Sequence, residues 1–470
     1  MNILDLTIEQ LGRAYRSREV SPVDATAACL TRIEAVDGRL NSFITVTKQV
    51  AERQARDAQD ELARGIDRGP LHGVPIALKD LYATKGIRTT AHSQALVDWV
   101  PDEDAAVTER LREAGAVLLG KLAMHEFAWG APGFDNPFPP ARNPWDTSRA
   151  PGGSSSGSGV AVAARLCFGA MGSDTGGSIR SPAHLCGITG LKTTYGLVSR
   201  FGVVPLAWSL DTCGPMARTV EDCALMLQAI AGYDTRDDAS ANQPIPGYRQ
   251  AIHRGASGLR IGVPWSWIDG TDGLDAEVRG AFVAALDVLN GQGMEVVEVD
   301  GTPFAEARVP QMLIMMAEAY AYHEERLKTR PRDLGSGPRT RLREASLLTA
   351  ADYIQAQRAR SALVRQMHAI LQTVDAVVTP GGAKPAVKFD DYVATSAAPT
   401  PISFTGPFNL YGGPALVVPA GFTRGGLPVG LQIAGRAFDE PSVLRIGAAY
   451  QHATDWHTRA PAVSTEGALV

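Results

Sequence analysis

Disulfides, zinc and a membrane are the first things this sequence argues against. Its five cysteines, Cys29, Cys167, Cys186, Cys213 and Cys223, are scattered, odd in number and never form a CxxC pair. A disulfide framework or thiolate zinc site needs paired spacing, so these read as reduced thiols, some of them small core residues. His125-Glu126 and His323-Glu324-Glu325 lack the second histidine of a zinc helix. No apolar run reaches the roughly 20 residues of a bilayer span; the best, 159–172, is too short and holds Arg165. The start, MNILDLTIEQ, lacks the basic and apolar regions of a secretion signal, so the expected location is cytoplasmic. A net charge of -5 gives no general pull toward nucleic acid or anionic lipid. Repeats and low-complexity tracts are missing as well.

What is present is an ordinary supply of core. Hydrophobic residues make up 45% and charged residues 20% of 470, enough for a large buried interior. Residues 5–65 read as helices, with Ser21-Pro22 as a cap and first turn and 49–64 as a solvated helix. Buried strands are expected at 74–78 and 117–119, and a helix at 160–164. A second α/β unit follows a polar stretch: strand 259–263, helix 275–289, strand 294–299. The Arg-rich segment 326–343 reads as a solvated loop, with an RNA contact or an active-site rim as the sharper alternatives. A helix at 353–371, strands at 376–378, 415–418 and 429–433, and a helix at 441–452 complete the pattern. Such alternation predicts an α/β fold.

The chemistry concentrates in RAPGGSSSGSGVAVAARLCFGAMGSDTGGSIRSPAHLCGITG, residues 149–190. It holds two Gly-Gly-Ser turns, Gly152-Gly153-Ser154 and Gly176-Gly177-Ser178. Successive N–H groups in such turns form a concave nest for anionic oxygen, and a serine inside one has its oxyanion hole beside it. Upstream, the apolar run Gly73–Leu78 ends in Lys79-Asp80. A lysine at the end of a buried strand loses solvation, which lowers its pKa and makes a neutral amine available as a base. Two serines and such a base suffice for acyl transfer without histidine.

These blocks, with LHGVPIALKD before them and GGPALVVPAGF and GLPVGLQIAGRAFDE after them, resemble the amidase signature family over nearly the whole chain. The resemblance implies one α/β/α domain, residues 1–470, around a large mixed sheet flanked by helices. Its core signature covers about 66–232, with a smaller α/β insertion at about 258–345. It also implies a Ser–Ser–Lys triad: Ser178 as nucleophile, Ser154 as relay, Lys79 as base. A cis peptide bond is implied between Gly153 and Ser154. N–H groups of Thr175, Gly176, Gly177 and Ser178 would hold the oxyanion, with Ser155, Asp174 and Arg180 in support. No cofactor and no metal are expected.

Other matches carry less. Ser155 is central in a literal GxSxG, but an elbow nucleophile would leave the second Gly-Gly-Ser turn and Lys79 unexplained. Gly190-Leu191-Lys192-Thr193 is half of a phosphate-binding loop and lacks the glycine before lysine. His452 and His457 come late enough to be the histidine of such an elbow and are set aside with it, and His72, in the LHGVP block, reads as structural.

The family includes glutamine-hydrolysing A subunits of tRNA-dependent amidotransferases. Where those carry Gly-Gly-Ser-Thr-Glu, this chain has Trp129-Gly130-Ala131-Pro132-Gly133; where they carry an acidic residue it has Ile402. Arg360 matches a family arginine. Trp129, Phe134, Ile402, Phe404 and Phe408 suggest an apolar pocket, which favours a stand-alone hydrolase of hydrophobic or aryl amides, with esters and carbamates as further substrates. The expected partner is a small amide, with no nucleic acid, no membrane and a homodimer left open. The first alternative is the glutamine-hydrolysing component of a tRNA-dependent amidotransferase; a more distant one is a non-catalytic binding protein.

Overall fold

The computed structural model describes residues 2–391 and 404–463. Among these, eleven strands form one mixed sheet. They are β1 (Phe43–Val46), β2 (Pro75–Lys79), β3 (Val117–Leu122), β4 (Gly169–Asp174), β5 (Thr189–Lys192), β6 (Thr212–Ala217), β7 (Arg260–Val263), β8 (Glu295–Glu298), β9 (Ala376–Pro380), β10 (Ala415–Phe422) and β11 (Pro428–Ala434). Their order is β1-β3-β2-β4-β6-β5-β10-β11-β9-β7-β8. The pairs β2–β3, β2–β4, β7–β8 and β7–β9 are parallel; the others are antiparallel.

The central strands are buried along their whole length, as continuous apolar runs between two helical layers require. Helix Ser156–Ala163 is buried at every residue and packs against β2, β3 and β4. Its small side chains, Ser, Gly and Ala, permit that close approach. Helix Arg180–Cys186 packs on β5, β10 and β11. Each of these helices follows one Gly-Gly-Ser turn, so the sheet fixes where both turns sit. Ser21 caps helix Pro22–Leu40 through a reciprocal bond with Asp24, and Pro22 occupies the first turn.

Three departures from the sequence expectations have simple causes. β1 interrupts the helical stretch of residues 5–65; four residues are too few to show a period. β4, β5 and β6 do not read as strands in the sequence, because their Gly, Ser, Thr, Pro and Lys hide an apolar period, yet all three are fully buried and paired. The Arg-rich segment is no loop: it ends helix Arg308–Thr329 and continues into helix Ser336–Ala345. Glu126 accepts from Gly335 N at 3.0 Å and Asp135 from Ser336 N at 2.7 Å, which fixes where that helix begins. The strands of the second α/β unit, β7 and β8, extend the same sheet through β9.

Candidate active site

The parallel pairing of β2 with β4 runs from Ile76–Gly169 to Leu78–Met171. It brings Lys79, at the end of β2, beside Ser173 and Asp174, at the end of β4. Lys79 is fully buried. Its Nζ donates to Ser154 Oγ at 2.7 Å and to Ser173 Oγ at 2.8 Å. Burial pulls its pKa down to about 7, with Asp174 and Asp211 partly opposing the shift. A substantial neutral fraction at neutral pH is what a general base needs.

The two Gly-Gly-Ser turns are tied to each other. Ser155 N donates to Ser178 O at 3.1 Å, and Ser155 Oγ donates to Ser173 O at 3.2 Å. The Gly153–Ser154 peptide bond is cis. His125 N donates to Ser154 O at 3.0 Å. A Cβ on Gly153 would lie 2.2 Å from the His125 ring, so only glycine fits there. Gly177, at φ +131°, is restricted likewise: a Cβ would lie 2.1 Å from Thr405 Oγ1.

Asp174 organises the second turn. It accepts from Gly177 N at 2.8 Å, Ile179 N at 3.0 Å, Asn409 Nδ2 at 2.8 Å and Arg180 Nη2 at 2.8 Å. Burial alone would raise its pKa, but the Arg180 guanidinium, with Asn409, holds it well below the usual carboxylate range. Arg180 is itself fully buried and also reaches Thr405 O, Gln432 Oε1 and Asn409 Oδ1. Because the Gly177 N–H is committed to Asp174, it supports the turn rather than standing free for an oxyanion. Thr175, Gly176 and Ser178 remain as candidate donors, and Ser178 is half-buried.

Ser173, Asp211, Gln311 and Asn409 escaped the sequence reading. Ser173 lay inside the recognised block, adjacent to Asp174, and strand alternation was the signal that could have separated it. Asp211 accepts from Thr175 Oγ1 at 2.5 Å and from the N–H groups of Leu206 and Ala207. Asp211, Gln311 and Asn409 lie far from the motif in sequence and carried no local signal.

The expected apolar pocket needs correction. Phe404 and Phe408 are buried in a core cluster with Trp267 and Phe304, ring centroids 5.1–6.5 Å apart. Phe134 is 56% exposed and packs edge-on against Phe389. Trp129 is buried beside the Glu126 turn. Aromatic residues bury wherever the core has room, so composition alone does not put them in one cavity. Ile402 lies outside the described residues. Arg360 is spent on the protein, donating to Leu410 O and to Ser209. The cavity that reaches Ser173 has a volume of about 500 Å³ and is bordered by Asp211, Tyr195, Arg200, Trp208 and Asp237. Among the described residues, no group of three His, Cys, Asp or Glu could hold a metal ion, and no helix is long and apolar enough to cross a membrane.

Residues 24–444 match the family model described as Amidase. This chain belongs to the amidase family. The A subunit of glutamyl-tRNA(Gln) amidotransferase from Methylococcus capsulatus is 43% identical to this chain, over 97% of the chain and 98% of the relative. The solved structure of its counterpart from Thermotoga maritima shares 33% identity at a TM-score of 0.78, covering 95% of this chain and 94% of the other. The native peptide amidase of Stenotrophomonas maltophilia shares 34% identity at a TM-score of 0.81, covering 97% of each. The first two are, by name, parts of an enzyme acting on glutamyl-tRNA(Gln). Full-length similarity to them overturns the expectation of a chain acting with no nucleic acid among its partners.

Proposed function

We propose that this protein cleaves the side-chain carboxamide of glutamine as the catalytic A subunit of a tRNA-dependent amidotransferase. The observation that carries the proposal is 43% identity, across nearly the full length of both chains, to a protein named as such a subunit.

In this mechanism neutral Lys79 takes the proton of Ser154 Oγ, which takes that of Ser178 Oγ. Ser178 Oγ bonds to the amide carbon. The resulting oxyanion is held by N–H groups of Thr175, Gly176 and Ser178; losing one such donor typically costs roughly 10²–10³ in rate. Collapse breaks the C–N bond while the proton returns from Lys79 through Ser154 to the leaving nitrogen, and ammonia departs. Water, deprotonated by the same relay, then cleaves the acyl-enzyme.

A stand-alone amidase is the second reading. It is favoured by Arg360, whose guanidinium is engaged by Ser209 and Leu410 rather than open to a substrate carboxylate. The deciding experiment compares kcat/KM for glutamine, a C-terminal peptide amide and an aryl amide, using the chain with its co-purifying partners and alone. Glutamine should be preferred in the complex. A peptide or aryl amide cleaved more efficiently under both conditions selects the stand-alone reading. Labelling by a fluorophosphonate should vanish in Ser178→Ala; full labelling of that variant moves the nucleophile elsewhere.

A further inference from the structure

Three successive carbonyl groups of the second Gly-Gly-Ser turn are held by side chains from elsewhere in the chain. Asp174 O accepts from Thr212 Oγ1 at 3.0 Å and from Asn409 Nδ2 at 3.2 Å. Thr175 O accepts from Gln311 Nε2 at 3.2 Å. Gly176 O accepts from Thr405 Oγ1 at 2.6 Å. Thr212 stands at the start of β6, Gln311 on helix Arg308–Thr329, and Thr405 and Asn409 at helix Gly406–Tyr411. All four side chains are buried.

The peptide groups differ in how their other end is held. The Gly176–Gly177 peptide is tied twice, through Gly176 O to Thr405 and through Gly177 N to Asp174 Oδ1 at 2.8 Å. The Thr175–Gly176 peptide is tied once. Its oxygen meets Gln311, and its N–H, that of Gly176, donates to no acceptor among the described residues. This peptide is trans, so its C=O and N–H point to opposite sides. Gln311 therefore sets the direction of the Gly176 N–H, which faces away from Gln311. Glycine dihedrals are permissive, so little else restrains rotation of that plane. The Gln311 amide is itself oriented. Its nitrogen faces Thr175 O, because a carbonyl only accepts, and has Met315 Sδ at 3.9 Å. Its oxygen lies on the Gly406 side, where an added Cβ would meet it at 3.5 Å.

We infer that Gln311 is a positioning residue for the oxyanion site, holding the Thr175–Gly176 peptide plane so that the Gly176 N–H stays aimed at the developing negative oxygen. The inference rests on the proposed Ser178 chemistry, in which that N–H is one of the donors. A donor oriented in advance costs no reorganisation when the charge appears, whereas a plane free to turn must be ordered in the transition state. The effect belongs to kcat more than to KM, because the carbonyl of a bound amide carries less charge than the oxyanion.

The test uses the intact protein, a primary amide that it cleaves, and the aldehyde of the same acyl group as an inhibitor. Addition of Ser178 to the aldehyde puts an oxygen where the oxyanion would form. Gln311→Met keeps the length of the side chain and removes its N–H donors. It should lower kcat about tenfold or more, since outright loss of an oxyanion donor costs roughly 10²–10³. KM should stay within about threefold, and inhibition by the aldehyde should weaken in parallel with kcat. Thr405→Val removes the shorter bond and should lower the melting temperature more, yet keep kcat within about threefold, because Asp174 still holds that peptide. Gln311→Leu gives the same reading if the Met variant does not fold. Equal kcat losses in the Gln311 and Thr405 variants, or a raised KM with kcat unchanged, overturn the inference and leave Gln311 as packing for the turn. If the unaltered protein binds the aldehyde no more tightly than the matching alcohol, the proposed Ser178 chemistry itself fails, and this inference with it.

Discussion

Lys79 and Lys192 close two buried strands, β2 and β5, and differ in what they touch. Both are fully buried, and burial pulls each pKa to about 7. Lys79 meets two serine hydroxyls. Lys192 donates to Thr193 O at 2.8 Å, with Arg180 pushing its pKa further down and Asp174 and Glu440 pulling it back. A carbonyl has no proton to give. Depressing an amine pKa is therefore not enough to make a base; a transferable hydrogen must sit beside it. A perturbed pKa points to function only together with its geometry.

Replacing each lysine by methionine is the sharpest way to break the comparison. Lys79→Met should lower kcat on an amide by roughly 10²–10⁴, the usual worth of a positioned acid–base group. Lys192→Met should leave kcat within about threefold and shift the melting temperature instead. Equal kinetic losses in steady-state assays would show that the two ends are not functionally distinct.

The next largest effect separates scaffold from chemistry. Asp174→Asn leaves the fully buried Arg180 without its carboxylate, which should cost about 3–5 kcal/mol in urea denaturation. A variant that unfolds like the wild type would mean that the network around Asn409 and Gln432 suffices to hold Arg180.

Ser173→Ala tests whether Lys79 needs its second hydroxyl. The expected loss in kcat is about tenfold, since one hydrogen bond that orients the amine is removed while Ser154 stays in place. An unaltered kcat would assign Ser154 alone to that task.

The smallest effect is a pH slope. A lysine with a depressed folded pKa binds fewer protons folded than unfolded between about 7 and the ordinary value of 10.5. Its destabilising contribution is complete below pH 7 and is relieved as pH rises through that window. Denaturation midpoints of the wild type, measured relative to Lys79→Met, should rise from pH 7 to 9. The acid limb of kcat/KM should rise through about 7 as the amine becomes neutral. A limb well away from 7 would separate Lys79 from the titrating base.

The sequence by itself determined the α/β class, the family and the two Gly-Gly-Ser blocks, because these are local properties. Burial follows from apolar runs, Gly153 and Gly177 from turns in which no Cβ fits, and the Ser21 cap from a neighbour three residues away. Most of the sheet was legible for the same reason. β1, β4, β5 and β6 were not, being short or built from residues that favour loops, and held in the sheet by pairing with distant strands. The polar surroundings of the second Gly-Gly-Ser turn were least legible. Asp211, Gln311 and Asn409 reach Thr175 and Asp174 from 36 to 235 positions away in the chain by the bonds they make. The aromatics chosen as a pocket went instead to the core around Trp267, because hydrophobicity states that a side chain will be buried and not against what. Which polar groups face one another around Ser178 is decided by the packing of helices onto the sheet, and only the tertiary structure contains that information.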